Sequence, residues 1–452
     1  MDLSELFSQK RSPLFPKNLA IAAAFLLGLL LFLSILRSAL FSEITEEKRL
    51  WFEVTFLILA ALVSEILVRY LKQPSVITLL VVGVILSSSF VGVIWPPIYG
   101  ILAAIGLSGL FSSSAIHTIG TGGAIKVFAQ LGAIFLMFEA GLHGKLGEVF
   151  NGRNLLVALL GVLVPFAGGF AYAEYTGGSF AHALFVGAAL TATSVGVTVA
   201  VLMELGAMQK AYAKTIIGAA VIDDVLALLV LSAIPGLETG AGGDLVASLL
   251  SLLATSIVFI AGGIAIGLWA TGKFKEKEGK AQGSAAAEYW FLACLAGVFF
   301  YAFSAEFIGL SAIVGAYVAG LVMSTAGLSE RVLSQSKPLS NLFTPMFFLS
   351  LGLYVDVTTI LPALVPILAI CAIAFLTKIV GCGAGALICG SKPNEALAIG
   401  VGMAPRGEIA LIIALLGLES GVLAAADYSV LSAMAFITTI VPPFFMRKLA
   451  PK

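Results

Sequence analysis

Long apolar stretches, separated by short polar ones, run through almost the whole chain. A transmembrane helix needs about 20 predominantly apolar residues, and fourteen stretches meet that requirement. They cover residues 19–40, 51–71, 74–94, 123–142, 154–175, 181–205, 212–237, 246–270, 287–307, 309–326, 340–359, 361–390, 393–418 and 428–446. The pattern predicts an all-α polytopic membrane protein with about fourteen transmembrane helices.

The composition favours the same class of protein. Of the 452 residues, 60% are hydrophobic and 11% are charged, whereas a soluble domain is roughly 25% charged. So little polar surface cannot coat a soluble protein of this size. The net charge is zero, and no basic patch is suited to nucleic acid. We therefore expect the lipid bilayer as a partner and no nucleic acid.

The basic residues are distributed unevenly over the predicted loops. With a cytoplasmic amino terminus, 19 of the 25 lysines and arginines lie inside and four lie outside. This bias predicts that both termini are cytoplasmic and that the chain is a multi-pass protein of the cell (inner) membrane. On this topology 95–122 is a long external connection, and the charged segment 272–288 is a cytoplasmic linker. The two remaining basic residues, Lys378 and Arg406, fall inside predicted helices.

Parts of the first half of the sequence are repeated in the second half. Three pairs of segments resemble each other in the same order: 74–87 and 310–324, 131–145 and 343–356, and 182–196 and 395–409. The members of the last pair are seven spans apart, and an odd number inserts them in opposite orientations. This arrangement predicts an inverted repeat, a common construction of transporters.

Two of the predicted helices are interrupted near their middles. The segment "TATS", from Thr191 to Ser194, places three hydroxyl groups in one turn, where they compete for backbone hydrogen bonds. The segment "MAPRGE", from Met403 to Glu408, contains Pro405, which removes a backbone donor. We expect two crossing broken helices near the bilayer midplane. Non-helical backbone is tolerated there only where it lines a cavity or is buried in protein.

Two adjacent carboxylates, Asp223 and Asp224, lie in the apolar run 218–235. Ionisable residues within a membrane mark a functional site by default. Neighbouring residues on a helix point about 100° apart, so one carboxylate can pair with Lys378 while the other faces a cavity. A carboxylate can bind either a proton or a hard alkali cation. Competition for one such group is sufficient to couple the two ions.

Other readings of these polar residues remain open at this stage. An aspartate in a membrane can serve as a structural hydrogen bond between helices. Arg406 and Glu408 fit mutual neutralisation or helix capping better than direct ion binding. Glu139 and His143 lie four residues apart on one helix face, a spacing typical of a solvated surface pair.

Two other functional classes also have to be weighed. An intramembrane aspartyl protease needs two carboxylates on separate helices that share a proton, whereas Asp223 and Asp224 lie on one helix and point apart. A passive channel is less suited to buried titratable ligands than a carrier, because such ligands favour tight, competitive binding. We therefore predict a protein that is not an enzyme and that has no cofactor.

The segments "TATSVGVTVAVLMELGAM", "IIGAAVIDDVLALLVL" and "VGMAPRGEIALIIALLGLESG" resemble the bacterial NapA-type Na+/H+ antiporters of the monovalent cation/proton antiporter superfamily. The resemblance runs from about residue 51 to 446. It implies secondary antiport of Na+, with Li+ as an alternative substrate, against H+ by a homodimer. In this dimer a core domain moves against a scaffold in an elevator-like, electrogenic cycle. The alternative is K+/H+ exchange of the related Kef type, without a regulatory domain. Kef-like chains usually lack the first aspartate of the pair, so Asp223 favours sodium.

The resemblance also implies residue roles and domains. Asp224 would be the principal ligand of Na+ and the proton, Asp223 the partner of Lys378, and Thr193 and Ser194 neighbours of the ion, with crossover support from Thr191, Pro405, Arg406 and Glu408. The implied domains are an extra amino-terminal helix (1–50), a scaffold and dimerisation domain (51–150 and 287–359), a core ion-transport domain (151–240 and 360–452), and a linker helix with a cytoplasmic loop (241–286).

Overall fold

The computed structural model describes most of the chain after residue 45. The described residues are 28–29, 46–71, 75–107, 123–144, 146–149, 151–239, 242–278, 284–308, 310–360 and 362–449. They form seventeen α-helices and one 3-10 helix, which confirms the predicted all-α class. Within this part of the chain nine helical segments are long and apolar enough to cross a membrane, or ten if one bent pair is counted as a span. The predicted helix at 19–40 lies outside the described residues except for 28–29.

The first half of the described chain contains nine α-helices. They are α1 (Glu46–Leu71), α2 (Ser75–Ile85), α3 (Ser88–Ala104), α4 (Gly123–Leu142), α5 (Leu146–Val149), α6 (Gly152–Tyr175), α7 (Phe180–Thr191), α8 (Val195–Glu204) and α9 (Ala211–Thr239).

The second half contains eight α-helices and the 3-10 helix. The α-helices are α10 (Gly242–Glu278), α11 (Ser284–Phe307), α12 (Ala312–Thr325), α13 (Ser329–Leu353), α14 (Leu364–Ile388), α15 (Pro393–Gly402), α16 (Glu408–Glu419) and α17 (Ala425–Leu449). The 3-10 helix covers Val357–Thr359, between α13 and α14.

Two sequence-based boundaries are wrong. The predicted single helix at 74–94 is two helices, because α2 ends at Ile85 and α3 runs from Ser88 through Pro96 and Pro97 to Ala104, at 58° to α2. Helix α3 thus occupies the first part of the predicted connection 95–122. Ser87 starts the new helix by accepting a hydrogen bond from Phe90 N at 3.2 Å. The predicted linker 272–288 is also too long, because α10 extends to Glu278 and α11 begins at Ser284. The lysines and glutamates of this segment are good helix formers and extend α10.

The helices pack in two bundles. In the α4 bundle, α4 contacts α12 and α13, α2 contacts α13 and α1, and α11 contacts α12. In the α14 bundle, α14 contacts α6, α15 and α17, α6 contacts α7 and α9, and α16 contacts α7 and α17. Helix α8 lies between them, and its Gly196 faces Leu136 and Phe347 of the α4 bundle. This arrangement keeps the interrupted helices inside the protein.

Candidate ion-binding site

Both predicted interruptions are real breaks in the helices. Helix α7 ends at Thr191 and α8 begins at Val195, while α15 ends at Gly402 and α16 begins at Glu408. At the first break the Thr191 hydroxyl donates back to Ala188 O at 2.7 Å, which satisfies a carbonyl of the last helical turn. Each break therefore leaves a short extended segment within an apolar span, as the hydroxyl cluster and the proline predict.

The two extended segments cross and are hydrogen-bonded to each other. Ser194 N donates to Pro405 O at 2.8 Å. The Thr193 hydroxyl reaches Met403 O at 3.4 Å, and the Thr198 hydroxyl donates to the neighbouring Gly402 O at 2.6 Å. The backbone groups freed by one break are thus satisfied by the other, as buried backbone requires. The first break and the second therefore form one structural unit.

The crossing also depends on a residue without a side chain. A Cβ atom added to Gly407 would lie 2.7 Å from both Cβ and Oγ of Ser194, closer than side-chain atoms pack. Ser194 is buried, and within the described chain its hydroxyl has no hydrogen-bond partner. The close approach brings the backbone of one break against a hydroxyl oxygen of the other.

The structure joins Asp223 and Lys378, as the sequence predicts, in a fully buried ion pair. Lys378 Nζ on α14 lies 3.0 Å from Asp223 Oδ1 on α9, and neither side chain has solvent exposure. The ammonium also donates to Gly161 O and Thr191 O, both at 2.7 Å. A lysine ammonium has three donors, and all three are used. Lys378 therefore ties α6, α9 and the end of α7 together.

Asp224 follows Asp223 on the same buried turn of α9. Its side chain is 4% exposed, and the helical geometry directs it about 100° away from Asp223. On Asp223 itself, Oδ2 accepts no hydrogen bond from the described residues. In the same part of the chain no three His, Cys, Asp or Glu residues are grouped to hold a metal ion. Carboxylate, hydroxyl and carbonyl oxygens are ligands suited to a hard cation.

Arg406 is the second fully buried cation of the site. Its guanidinium donates to Ala192 O at 2.7 Å, to Thr191 O at 3.4 Å and to Ala374 O at 3.1 Å. Thr439 donates to the carbonyl of Arg406. A cation at the carboxyl end of α7 is also favoured by the helix dipole. These contacts fit the structural reading of Arg406, whereas the side chain of Glu408 lies outside the described part of the structure.

Sequence reasoning missed that the carboxylate of Glu139 is buried as well. Glu139 is 3% exposed, forms an ion pair with Lys337, and accepts from the Ser340 hydroxyl at 2.8 Å. His143 contacts only the backbone oxygen of Glu139 in this group, at 2.8 Å. The prediction of a solvated Glu139–His143 pair is therefore wrong. The sequence does contain a signal for this contact. Polar residues recur at helical spacing on α13, at Lys337, Ser340 and Thr344, and form a polar stripe that faces α4.

The comparison with protein families agrees with this geometry. The family described as sodium/hydrogen exchanger, transmembrane, matches residues 54–447, which include both breaks, both aspartates and the two buried cations. The chain belongs to this family. Membership confirms the predicted monovalent cation/proton antiporter superfamily. It also agrees with the prediction of a non-enzyme, because sodium/hydrogen exchangers are transporters.

Individual members of the family cover most of the chain. The Na(+)/H(+)-K(+) antiporter GerN of Bacillus cereus is 32% identical over 414 residues, which are 89% of this chain and 96% of GerN. The high-affinity Na(+)/H(+) antiporter NhaS3 of Synechocystis is 34% identical over 333 residues, 72% of this chain and 71% of NhaS3. The structure of the sodium proton antiporter MjNhaP1 from Methanocaldococcus jannaschii aligns with a TM-score of 0.59 at 18% identity, covering 88% of this chain and 96% of that one. This likeness extends the shared fold to a distant exchanger.

Proposed function

We propose that this sodium/hydrogen exchanger family member is a secondary antiporter that exchanges Na+ for H+ across a membrane, with Asp224 as the principal ligand of both ions. The observation that carries the proposal is a carboxylate pair buried beside two crossing helix breaks, with Lys378 fully buried against one carboxylate. Relatives such as NhaS3 are named as Na+/H+ antiporters, which supports the choice of sodium.

Coupling follows from competition at Asp224. A carboxylate can hold a proton or a cation, but not both together. Thr193 and Ser194, which lie at the crossing of the breaks, would contribute hydroxyl or carbonyl oxygens to a bound Na+. If the empty, charged site cannot cross the bilayer, each movement must carry one ion or the other. No further cofactor is needed for this chemistry.

Lys378 makes the proposed cycle electrogenic. In the ion-free state the ammonium and Asp223 neutralise each other at 3.0 Å. When Na+ binds and interacts with the Asp223 carboxylate, the Lys378 ammonium loses its charged partner. A buried, unpaired ammonium is unfavourable, and Lys378 becomes neutral by releasing its proton. One proton from Lys378 and one from Asp224 then exchange for one Na+. Each cycle moves one net charge.

We propose that the two bundles move against each other in an elevator-like mechanism. Both aspartates, Lys378 and both breaks belong to the α14 bundle and to α8, so the whole site can move as one body. The α4 bundle would then be the scaffold, and we assign it the contacts of a homodimer. The distribution of basic residues supports cytoplasmic termini in a cell membrane.

The contacts within the α4 bundle support the inverted repeat. In one contact Gly83 of α2 and Gly352 of α13 approach so closely that a Cβ on Gly83 would lie 2.8 Å from Gly352 Cα. In the other contact Gly320 of α12 and Gly141 of α4 approach in the same way, with 3.0 Å for a Cβ on Gly320. The sequence repeat pairs Gly83 with Gly320 and Gly141 with Gly352. The two crossings are therefore the same contact in opposite halves.

K+/H+ exchange is the second candidate function. The observation in its favour is that GerN is named an Na+/H+-K+ antiporter and that KhtU of Bacillus subtilis, 27% identical over 299 residues, is named a K+/H+ antiporter subunit. Asp223 favours sodium over this alternative.

Proton flux in proteoliposomes separates these proposals. The purified protein is reconstituted with a pH-sensitive dye inside the vesicles, and Na+, Li+ and K+ are added in turn. Na+ should drive proton movement, and K+ should drive little. Proton movement driven by K+ alone would favour K+/H+ exchange. Proton movement that is unaffected by Na+, Li+ and K+ would contradict antiport of these ions.

A further inference from the structure

A carboxylate at the end of the broken helix contacts the beginning of a helix in the other bundle. Glu204 is the last residue of α8, and Ser75 is the first residue of α2. Glu204 Oε2 accepts from Ser75 N at 3.0 Å and from the Ser75 hydroxyl at 2.9 Å. The contact therefore joins the element that follows Ser194 to the α4 bundle.

This contact gives the first residue of α2 a carboxylate acceptor from the other bundle. The first turn of α2 contains no acidic residue. The amide groups of a first turn have no partner within their own helix, and a negative charge there is favoured by the helix dipole. Glu204 provides both the acceptor and the charge from another bundle. Any movement that separates α8 from α2 must break this contact.

A second hydrogen bond joins the same two bundles five residues further on. Gln209, in the connection from α8 to α9, donates through Nε2 to His143 O at 3.3 Å. The end of α4 is held within its own bundle, because the Ser324 hydroxyl of α12 donates to Gly144 O at 2.8 Å. The end of α8 and the connection after it are thus attached to two separate helix ends of the α4 bundle.

The matching position in the other half of the repeat is built differently. With Gly83 paired to Gly320, Ser75 falls opposite Ala312, the first residue of α12, and Ser311 directly precedes that residue. The Ser311 hydroxyl accepts a hydrogen bond from Ile313 N at 3.2 Å and so caps its own helix. Capping within α12 does not depend on the other bundle. The two helix starts therefore differ, because the acceptor at α2 comes from the other bundle and the cap of α12 comes from its own segment.

We infer that Glu204 and Ser75 form a latch that holds the α14 bundle against the α4 bundle in this conformation and that must open once in every transport cycle. The inference rests on the proposed elevator-like antiport. On the topology proposed above, the latch lies on the cytoplasmic side. Glu204 is a positioning residue in this scheme, since it sets the balance between two arrangements of the bundles and carries no ion.

Reversible cross-linking tests whether the latch must open. Ser75→Cys and Glu204→Cys are combined in a Cys389→Ser background, since the other three native cysteines are buried, and joined with a short bifunctional methanethiosulfonate reagent. The matched control joins Arg153→Cys and Ser391→Cys, whose parent side chains lie 2.8 Å apart within the α14 bundle. We expect the cross-link between positions 75 and 204 to stop exchange and a reductant to restore it. The control cross-link between positions 153 and 391 should leave the exchange rate unchanged.

Each other outcome has a defined meaning. Continued exchange with the Ser75–Glu204 positions fully cross-linked would overturn the latch and leave the proposed function intact. Failure of this pair to cross-link, while the control pair does, would show that the contact is not populated and would also overturn it. An uncross-linked parent protein that moves no protons in response to cations would instead contradict the proposed function.

A distance measurement tests the latch without transport. Spin labels are placed at Lys210, beside α9, and at Glu330 of α13, which are both exposed. Glu204→Gln keeps an acceptor oxygen but removes its charge, which weakens both hydrogen bonds from Ser75 and should shift the ratio of close to separated arrangements by about tenfold. We expect Glu204→Gln to cause this shift and Ser311→Ala, the internal cap, to leave the distances unchanged. Equal distance distributions in Glu204→Gln and the parent protein would contradict the latch.

Discussion

Lys378 and Asp223 form an ion pair of 3.0 Å between two side chains that have no solvent exposure. The two residues are 155 positions apart in the chain and lie on α14 and α9. Burying either charge alone is unfavourable by several kcal/mol, so each residue is tolerable only because the other is present. The pair thereby fixes the distance between two helices of the α14 bundle.

Replacing Lys378 should affect both stability and charge movement. Lys378→Gln leaves Asp223 without its charged partner, and breaking a buried pair typically costs about 3–5 kcal/mol, less what protonation of Asp223 recovers. The variant should unfold at a lower temperature in detergent. It should also move a different charge per Na+, measured as currents on a solid-supported membrane normalised to ion uptake.

Lys337 provides the matched control for Lys378. It also pairs with a buried carboxylate, that of Glu139, but its side chain is 47% exposed, so water can replace part of the interaction. Lys337→Gln should leave the charge per Na+ unchanged. If Lys378→Gln matched the parent protein in both unfolding temperature and charge per Na+, Lys378 would have no role in stability or in charge movement.

Arg406 should be needed for the crossing of the breaks. Arg406→Gln removes a buried charge that donates to Ala192 O and Ala374 O, and we expect the free energy of unfolding to fall by about 3 kcal/mol or more. Arg406→Lys should lose less, since it keeps the charge but not the planar fork. The comparison variant is Arg153→Gln, which loses one hydrogen bond to Ser391 and about 1 kcal/mol. Equal losses at positions 406 and 153 would argue against this role.

Gly407 should tolerate no side chain. In Gly407→Ala the new methyl group would lie 2.7 Å from two atoms of Ser194, and the backbone of one break would have to move. Exchange should fall at least about tenfold, because small displacements of ligands have large effects on a preorganised site. Gly262→Ala is the control, since a Cβ there meets nothing within 4 Å. Normal Na+-dependent proton flux in Gly407→Ala would show that the approach is not critical.

Much of this site is visible in the sequence because membranes impose strict rules. Pro405 and the hydroxyl cluster from Thr191 to Ser194 weaken the hydrogen bonding of their helices. A buried Asp223 needs a counter-ion, which Lys378 or Arg406 could provide at similar depth. The three pairs of similar segments likewise predict which helices of the two halves correspond. These inferences need no contact information.

Other features depend on contacts that sequence spacing does not reveal. Glu139 looked like the partner of His143 because the two share a helix face, but its partners Lys337 and Ser340 come from α13, about 200 positions away. The Glu204–Ser75 contact likewise spans 129 positions. The extent of α3 was missed since its interior prolines resemble a helix end. Such features are set by tertiary packing.

The central claim is that Asp224 carries Na+ and H+ in turn, and sodium-driven proton flux of Asp224→Asn tests it most directly. An amide keeps the shape of the side chain but cannot exchange a proton for a cation. The variant is compared in proteoliposomes with the parent protein and with Asp427→Asn, an aspartate that is 38% exposed and lies at the start of α17. We predict that Asp224→Asn folds and unfolds like the parent protein yet moves no protons in response to Na+, while Asp427→Asn exchanges normally. Sodium-dependent proton flux at the parental rate in Asp224→Asn would contradict it.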